Sequence, residues 1–432
     1  MPPASTGASA VQLPDALPSP PPVASAPADT RHRPGDRAFR RANLALFAAG
    51  IATFVLLYST QGLLPLLSAD LDLTPGQASW TASVATLGLA LALLPASALS
   101  DRYGRTAVMT ASMLAAAGIA LALPFAPNLT TLVILRGVQG AALAGLPATA
   151  MAYLAEEIHP SALASAMGLY VAGNSIGGMG GRLASGWAGA AWGWRWGLAV
   201  SAVLALAAAL AFRLLIPAAR QFRRTPLDAR ALARTVTGHL RNPLLLRLYS
   251  LGLLFMAVFG AVYNTVGYRL TTAPFDLPES VAASIFVVYL VGTVSSACAG
   301  RLVGRLGRRG TLYVAIGTTT AGLLLSLADT LAAVLLGLVL ITAGFFAGHA
   351  TASSSVGRTA TEGRAQASAL YLIAYYLGNS LGGTLGADAY HSTGWPGAAA
   401  VGLVAMTLAA GVTLYATRKA VITRRAVSTL RV

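Results

Sequence analysis

The hexapeptide GNSIGG at residues 173–178 returns almost unchanged as GNSLGG at residues 378–383, 205 positions later. Two further stretches repeat at nearly the same offset. YSTQG at 58–62 matches YNTVG at 263–267, and LSDRYGRT at 99–106 matches LVGRLGRR at 302–309. Three repeats at nearly one offset indicate that the chain consists of two homologous halves.

Composition places both halves in a membrane. Hydrophobic residues make up 56% of the chain and charged residues 10%, against about 45–50% and about 25% in soluble domains. From Ala42 onward the apolar residues form blocks of about 18–25, the length that a helix needs to cross about 30 Å of hydrocarbon. Barrel strands would instead read as short alternating segments. The predicted spans are 42–67, 77–99, 106–126, 131–153, 164–188, 196–216, 244–270, 281–299, 311–328, 331–356, 367–389 and 397–417.

The predicted fold is an all-α integral membrane protein with twelve transmembrane helices in two six-helix bundles. Six spans per half make both halves enter the membrane in the same sense, which relates them by an axis along the membrane normal, with a site at their interface. The predicted domains are a disordered cytoplasmic tail at 1–41, the first bundle at 42–216, a basic cytoplasmic linker at 217–243, the second bundle at 244–417 and a cytoplasmic tail at 418–432. The first tail lacks the early basic region and apolar run of a signal peptide.

The placement of positive charge predicts the orientation. A net charge of +16 would suggest nucleic acid as the partner of a soluble protein. All but four of the 30 Lys and Arg residues, however, fall in the tails, the linker and the short loops on one side. Arg195 and Arg269 lie on the other side, and Arg136 and Arg182 lie within spans. Because cytoplasmic loops carry the excess of basic residues, both termini are predicted to lie in the cytoplasm, with no role for nucleic acid.

The loop after the second span, Asp101-Arg-Tyr-Gly-Arg105, resembles the G-x-x-x-D-R-x-G-R-R signature of the major facilitator superfamily. Ser97 stands in place of the first glycine and Thr106 in place of the last basic residue. The second copy has Gly304 where the acidic residue would be. With twelve spans and a repeat, the resemblance covers nearly everything after the tail, and it is closest to bacterial drug–proton antiporter-like and sugar-efflux-like members.

The resemblance implies a secondary transporter of the bacterial inner membrane, and not an enzyme. It also implies that the acidic residue of this loop latches the two halves together on the cytoplasmic side when the transporter faces outward. The predicted latch residues are Asp101, Arg102, Gly104, Arg105, Arg305, Gly307 and Arg308. A tight turn between helices needs Gly104 for its backbone freedom. The alternative is that Arg102 and Arg105 only set the topology.

Two arginines lie within spans, where a charge costs at least about 2.5–3.5 kcal/mol on insertion scales. The spacing around Arg136 is similar to a second family motif whose arginine is associated with proton coupling; snorkelling at the end of the span is the alternative. Arg182 follows glycines whose spacing resembles the exporter motif G-x8-G-x3-G-P-x2-G-G, with Arg182 in place of the proline and Ser185 in place of one glycine. Arg182 either binds an anionic or polar group or forms a structural salt bridge to another helix.

Other polar residues are predicted to line the cavity, since the resemblance places spans 1, 4, 7 and 10 around it and spans 5 and 11 at its gates. The predicted cavity residues are Tyr58, Gln61, Asn174, Arg182, Tyr263, Asn264, Tyr375 and Asn379. His349 in span 10 is the predicted proton carrier, because histidine titrates near neutral pH, and Asp388 at the end of span 11 is its competitor. The alternatives are a hydrogen-bonded packing role for His349 and interhelical hydrogen bonds for the asparagines.

Absences in the sequence narrow the function. No Asp or Glu lies in the middle of a span, so the two arginines favour neutral polar or anionic substrates. The chain has no P-loop, no acyl-transfer triad, no metal-ligand cluster and no disulfide, since Cys298 is its single cysteine. We therefore predict a cofactor-free, monomeric exporter of a small solute in the lipid bilayer, working by alternating access with proton antiport. The alternatives are a proton symporter or uniporter for uptake of a small organic acid, and a transporter-like receptor that binds without translocating.

Overall fold

The structure is a computed structural model that describes residues 31–222, 224 and 228–429, with the main chain alone at 229 and 416–429. Outside the described residues lie positions 1–30 of the predicted first tail, positions 223 and 225–227 of the linker, and the last three residues of the predicted second tail.

The described chain is almost entirely helical. Its α-helices are α1 (Arg37–Tyr58), α2 (Leu64–Leu71), α3 (Pro75–Tyr103), α4 (Arg105–Ala122), α5 (Leu129–Leu143), α6 (Gly145–Glu157), α7 (Pro160–Trp192), α8 (Trp194–Leu215), α9 (Ala229–Arg241), α10 (Pro243–Thr271), α11 (Glu279–Ala283), α12 (Tyr289–Leu325), α13 (Leu331–Thr359), α14 (Arg364–Thr393) and α15 (Trp395–Thr429). Short 3-10 turns lie at Gln61–Leu63, Leu123–Phe125 and Ser284–Val288.

Within the described residues, nine helical stretches are long and apolar enough to cross a membrane. The stretch Glu279–Leu325 contains two of the predicted spans, because Gly307 has φ 70° and bends α12 between them. Helices α7 and α14, which carry the glycine and asparagine repeat, are long enough to span a membrane but are not among these nine stretches; they correspond to spans 5 and 11. The predicted all-α fold of twelve spans is confirmed.

Local sequence explains where the helices begin and turn. Thr74 caps α3 by accepting a hydrogen bond from the main-chain nitrogen of Gln77 (3.2 Å), and the Gln77 side chain accepts one in return from Thr74 (3.0 Å). Gly104 separates α3 from α4 with φ 103°, a conformation that favours glycine. Gly307 is its counterpart in the repeat, so both halves turn at the same point.

The repeated glycines form a close seam between helices in each half. Along α7, residues Gly173, Gly177 and Gly181 face the main chain of α1, and a Cβ atom at Gly177 would lie 2.5 Å from the carbonyl oxygen of Ile51. Along α14, the equivalent glycines at 378, 382 and 386 face the main chain of α10 in the same way. Small residues at this spacing let helices approach closely within a membrane. The repeat therefore encodes one helix pair twice.

The two halves contact each other mainly toward one end of the bundle. We call the end that carries the loops at 72–74, 126–128, 272–278 and 394 the far face, and the end that carries 104, 158–159, 216–222, 307 and 360–363 the termini face. Helix α3 of the first half packs along α14 of the second, and α7 packs against α11. The hydrogen bonds recorded between helices of the two halves lie in the part of the interface nearer the far face.

The linker attaches to both halves at the termini face. The buried carboxylate of Glu157 at the end of α6 accepts hydrogen bonds from the main-chain nitrogens of Arg220 (2.7 Å) and Gln221 (2.8 Å). Helix α9 lies against the second half, where His239 Nε2 is 3.1 Å from the carbonyl oxygen of Gly363. The segment between the bundles therefore includes an ordered helix.

The seam can be tested with two glycines of the same helix. We expect Gly177→Leu to lower the melting temperature in detergent, because the new side chain must push α7 away from α1 at an overpacking cost of about 1–3 kcal/mol. Gly180→Leu is the matched control, because a Cβ atom at Gly180 meets nothing within 4 Å. Equal melting temperatures of the two variants would contradict the close contact.

Candidate functional site

Arg182 lies in α7 at the boundary between the two halves and is only 1% exposed. The carbon of its guanidinium is 3.9 Å from the ring centre of Tyr58 in α1 and 4.6 Å from that of Tyr289 in α12. The ring centre of Phe286 lies 5.4 Å away. At these distances the faces of aromatic rings attract a cation. Rings from both halves therefore surround one positive charge.

Gln61 connects this arginine to the other half. Arg182 Nε donates to Gln61 Oε1 (2.5 Å), and Arg182 Nη1 donates to the carbonyl oxygen of Gly178 in its own helix (2.5 Å). Gln61 Nε2 in turn donates to Asn264 Oδ1 in α10 (2.5 Å). The sequence left open a salt bridge from Arg182 to another helix. The ion pairs between described residues do not include Arg182.

A series of aromatic rings extends from Arg182 through the second half. Tyr263 occupies the position equivalent to Tyr58, and its hydroxyl is hydrogen-bonded to Thr342 Oγ1 (2.6 Å). Its ring centre is 5.0 Å from Tyr289. The series continues through Phe259, which is 5.2 Å from Tyr289 and 4.0 Å from Phe345. The second half therefore contributes an aromatic wall, whereas the first half contributes the charge.

His349 lies at the other end of this wall, in the part of α13 nearer the termini face. Its ring centre is 6.0 Å from Phe345 and 4.7 Å from Tyr375, and its Nδ1 is 3.0 Å from the hydroxyl of Tyr371. Asp388 lies near the far face, where its side chain approaches Gly76 at the start of α3. The structure therefore does not bring the two candidate proton carriers together.

Arg136 is fully buried within the first half. Its Nε donates to the carbonyl oxygen of Thr81 in α3 (2.9 Å), and its Nη1 and Nη2 donate to those of Leu56 (2.7 Å) and Leu57 (2.6 Å) in α1. Nη1 also donates to Gln139 Oε1 (2.6 Å). The side chain braces three helices and does not snorkel. Its role in coupling stays a prediction.

The two asparagines of the repeated hexapeptide have different surroundings. Asn379 Nδ2 in α14 donates to Thr86 Oγ1 in α3 (3.2 Å), which is a hydrogen bond between the halves. Asn174 in α7 instead lies against Gly50 of α1, within its own half. The same motif therefore reaches the boundary in one half and stays inside the bundle in the other.

The loop between α3 and α4 holds its charges within the first half. Arg105 forms ion pairs with Asp101 and with Glu156 at the end of α6, the latter at 2.8 Å, and it donates to Ser100 Oγ (2.6 Å). Arg102 lies over the ring of its neighbour Tyr103. The equivalent residues Arg305, Gly307 and Arg308 lie in α12, and the ion pairs between described residues do not join them to Asp101.

Sequence reasoning missed several members of the site. Tyr289 and Phe286 lie in span 8, which was not among the spans expected to line the cavity. The only signal in the sequence was two aromatic residues near the start of that span. Glu156, which pairs with Arg105, was not predicted as a site residue. Among the described residues, no group of three or more His, Cys, Asp or Glu side chains is placed to hold a metal ion.

The chain resembles known transporters along most of its length. The family profile of the Major Facilitator Superfamily matches residues 44–383. The uncharacterised MFS-type transporter YybF of Bacillus subtilis (strain 168) is 41% identical over 376 residues, which cover 87% of this chain and 93% of the relative. The inner membrane transport protein YnfM of Escherichia coli (strain K12) is 41% identical over 366 residues, 85% of this chain and 88% of the relative.

Solved structures agree on the fold. A bacterial homologue of the human lysosomal transporter Spinster, crystallised in an inward-facing and occupied conformation, superposes with a TM-score of 0.72. The sequence identity is 17%, and the match covers 89% of this chain and 98% of that chain.

The predicted latch can be tested by changing Asp101 to Asn. In the structure the Asp101–Arg105 pair is partly exposed, so its loss should leave the melting temperature nearly unchanged. If the Asp101 carboxylate stabilises the outward-facing conformation by about 1–2 kcal/mol, the population of that conformation and the transport rate should fall about 5- to 30-fold in Asp101→Asn. Glu156→Gln is the control, because it removes the other partner of the same arginine. A wild-type rate in Asp101→Asn would exclude the latch.

Proposed function

The chain belongs to the Major Facilitator Superfamily of membrane transporters, and from that premise we propose that it exports a small organic solute by alternating access, driven by inward proton flow. The sequence-based predictions of the family, and of a transporter instead of an enzyme, are confirmed. The substrate class, the direction and the coupling to protons are proposals.

The observation that supports the proposal most strongly is the position of Arg182 at the boundary between the two halves. The hydrogen bonds that join the halves lie nearer the far face. Near the far face, the Tyr268 hydroxyl of the second half donates to the carbonyl oxygen of Leu64 (2.9 Å), and the Trp187 indole of the first half donates to Ser284 Oγ (3.0 Å). Two halves that rock about a central site expose that site to one side at a time. Opening the far face requires these few hydrogen bonds to break while the seams inside each half stay intact.

The termini are proposed to face the cytoplasm of a bacterial inner membrane. The arginine distribution supports this orientation, and the relative from Escherichia coli is named as an inner membrane transport protein. In this orientation the far face is periplasmic. The structure then corresponds to a carrier closed toward the periplasm.

Export is proposed over uptake because the glycine spacing of α7 resembles the exporter motif. Uptake of an organic acid by proton symport is the second candidate, and it is favoured by the absence of an ion-pair partner for Arg182 among the described residues. The two differ in how an imposed pH gradient acts: an antiporter moves its substrate against the inward proton flow, whereas a symporter moves it in the same direction.

His349 is proposed as the proton carrier. It lies on the termini-face side of the aromatic wall, hydrogen-bonded to Tyr371 and close to Tyr375. Arg182 lies at the other end of the wall, so substrate and proton would bind at its two ends. Histidine is the one side chain whose unperturbed pKa lies between about pH 5 and 8.

The orientation can be tested with single cysteines in a Cys298→Ser background. Asp276→Cys places a thiol in an exposed loop of the far face, and Glu362→Cys places one in an exposed loop of the termini face. We expect a membrane-impermeant maleimide to label position 276 in intact cells and position 362 only in inside-out vesicles. The reverse pattern would place the termini outside the cytoplasm.

Export and coupling can be tested together in inside-out vesicles with a solute identified by growth-inhibition profiling of deletion and overexpression strains. We expect an acidic lumen to drive accumulation of that solute, with a rate that depends on pH between about 5 and 8. His349→Gln should flatten the pH profile and spare counterflow exchange, because glutamine retains hydrogen bonding but does not titrate.

His391→Gln, at the far-face end of α14, is the control and should leave the profile unchanged. An unchanged profile in His349→Gln would move the proton carrier to Asp388 or to the substrate itself. Loss of accumulation when the lumen is acidic, with accumulation when it is alkaline, would replace export by the uptake candidate.

A further inference from the structure

We propose that the substrate is a small organic monoanion with a flat aromatic body, and that its carboxylate displaces the Gln61 side chain from Arg182. This inference rests on the proposed transport function and deepens it by naming the substrate class and the residue that the substrate replaces.

The single positive charge of Arg182 at the site favours a ligand with one negative charge. Arg182 and Arg136 are both buried, and the ion pairs of the described residues include neither. All three nitrogens of Arg136 donate to protein oxygens of the first half. Arg182 uses Nε and Nη1 in hydrogen bonds to Gln61 and Gly178, and its other close neighbours are the side chain of Tyr58 and the ring face of Tyr289. A single buried cation that has no ion-pair partner among the described residues fits a single negative charge, and a dianion would leave its second charge unpaired.

Unused hydrogen-bonding groups lie around the same point. The Asn264 side chain, 1% exposed, accepts from Gln61 through Oδ1, while its buried Nδ2 has no partner among the described residues. The hydroxyl of Tyr289, whose ring faces Arg182, is also buried without a partner in the described chain. Buried polar groups are normally hydrogen-bonded. A carboxylate, which only accepts, suits this set of donors.

Gln61 occupies the place that such a carboxylate would take. Its planar side-chain amide lies between Arg182 and Asn264, 2.5 Å from each. A carboxylate has nearly the same size and shape as this amide but offers two acceptors and a negative charge. The Gln61 amide is neutral, whereas a carboxylate adds a negative charge that attracts the guanidinium, so an anion competes effectively with Gln61 for Arg182.

The displacement has a mechanical consequence. Gln61 belongs to the first half and Asn264 to the second, so their hydrogen bond is one of the contacts that hold the far face closed. An anion that takes Arg182 from Gln61 removes the partner that orients this amide. Binding therefore weakens the closed far face at the moment when the site is occupied.

The aromatic residues of the second half indicate the chemistry of the rest of the substrate. On the second-half side of Arg182, the rings of Tyr289, Tyr263, Phe259 and Phe345 are buried in mutual contact, and the wall ends at His349. Offset and edge-to-face packing of a further ring suits such a surface. A molecule with one carboxylate and one aromatic ring therefore matches a site with its charge on one side and rings on the other.

The test uses radiolabelled benzoate and the purified full-length protein in detergent, with binding measured by equilibrium dialysis. We expect saturable binding that unlabelled benzoate displaces, while benzylamine, benzyl alcohol, acetate and the dianion phthalate compete at least about tenfold more weakly. Arg182→Gln should weaken binding by about tenfold or more, since a charge-assisted hydrogen bond is lost. Arg195→Gln, an exposed arginine at the far face, is the control and should bind as the wild type does.

Gln61→Ala gives a second test, because it should change benzoate affinity only if Arg182 binds the anion and not if Arg182 is merely structural. Removing the internal competitor should tighten benzoate binding several-fold, whereas Gln61→Glu should abolish it by placing a carboxylate permanently on Arg182. If Arg182→Gln fails to fold, these two variants and Tyr289→Leu, which should bind about 2- to 10-fold more weakly, still decide the question. Weaker binding in Gln61→Ala, or no benzoate binding by the wild type, overturns the inference.

Vesicle transport separates this inference from the proposed function. Proton-driven movement of benzylamine or of a neutral solute, without movement of benzoate, overturns the substrate class and leaves export standing. Benzoate binding that responds to Arg182 and Gln61 as expected, without any proton-driven movement in vesicles, overturns the proposed function and leaves the binding site standing.

Discussion

The structure depends on main-chain contact between two pairs of helices, α1 with α7 and α10 with α14. In a bilayer, apolar side chains gain little by leaving lipid for protein, so helices associate through close packing and polar contacts. Glycine at every fourth position supplies that packing in both halves, with Gly177 against Ile51 and Gly382 against Ala257 as the central contacts. Because protein interiors have few voids and resist compression, each half behaves as a unit, and motion is left to the boundary between them.

The two buried arginines differ in their position relative to that boundary. Arg136 donates only to groups of the first half, and it therefore ties α5 to α1 and α3 without contacting the second half. Arg182 faces the boundary and is held by one amide, one carbonyl and the faces of rings. An intramembrane charge is expensive unless it is partnered. An arginine that donates to main-chain oxygens of two neighbouring helices stabilises a fold, whereas one held by a single amide, a single carbonyl and ring faces at the boundary between the halves is suited to a ligand.

Local patterns in the sequence predicted the fold, whereas the site depends on contacts between residues that are far apart in the chain. Apolar block length reports the hydrocarbon thickness, so it located the twelve spans, but it placed the start of span 1 at 42 whereas α1 begins at Arg37, because helices continue beyond the hydrocarbon. Gly104 and its repeat mate at 307 mark turns that need only local chemistry. The contact of Gln61 with Asn264 joins residues 203 positions apart, and no local pattern indicates which polar groups meet once the halves dock.

The repeat itself indicates where such contacts lie. Positions that pack the helices are preserved in both copies, as the glycine seams show, because both bundles solve the same packing problem. Arg182 and Gln61, by contrast, correspond to Ala387 and Val266 in the second copy. A polar pair that is present once in a duplicated scaffold is not needed to build the scaffold. These two departures from the repeat fall on the boundary, where the two halves must differ if a single charge is to face a wall of rings.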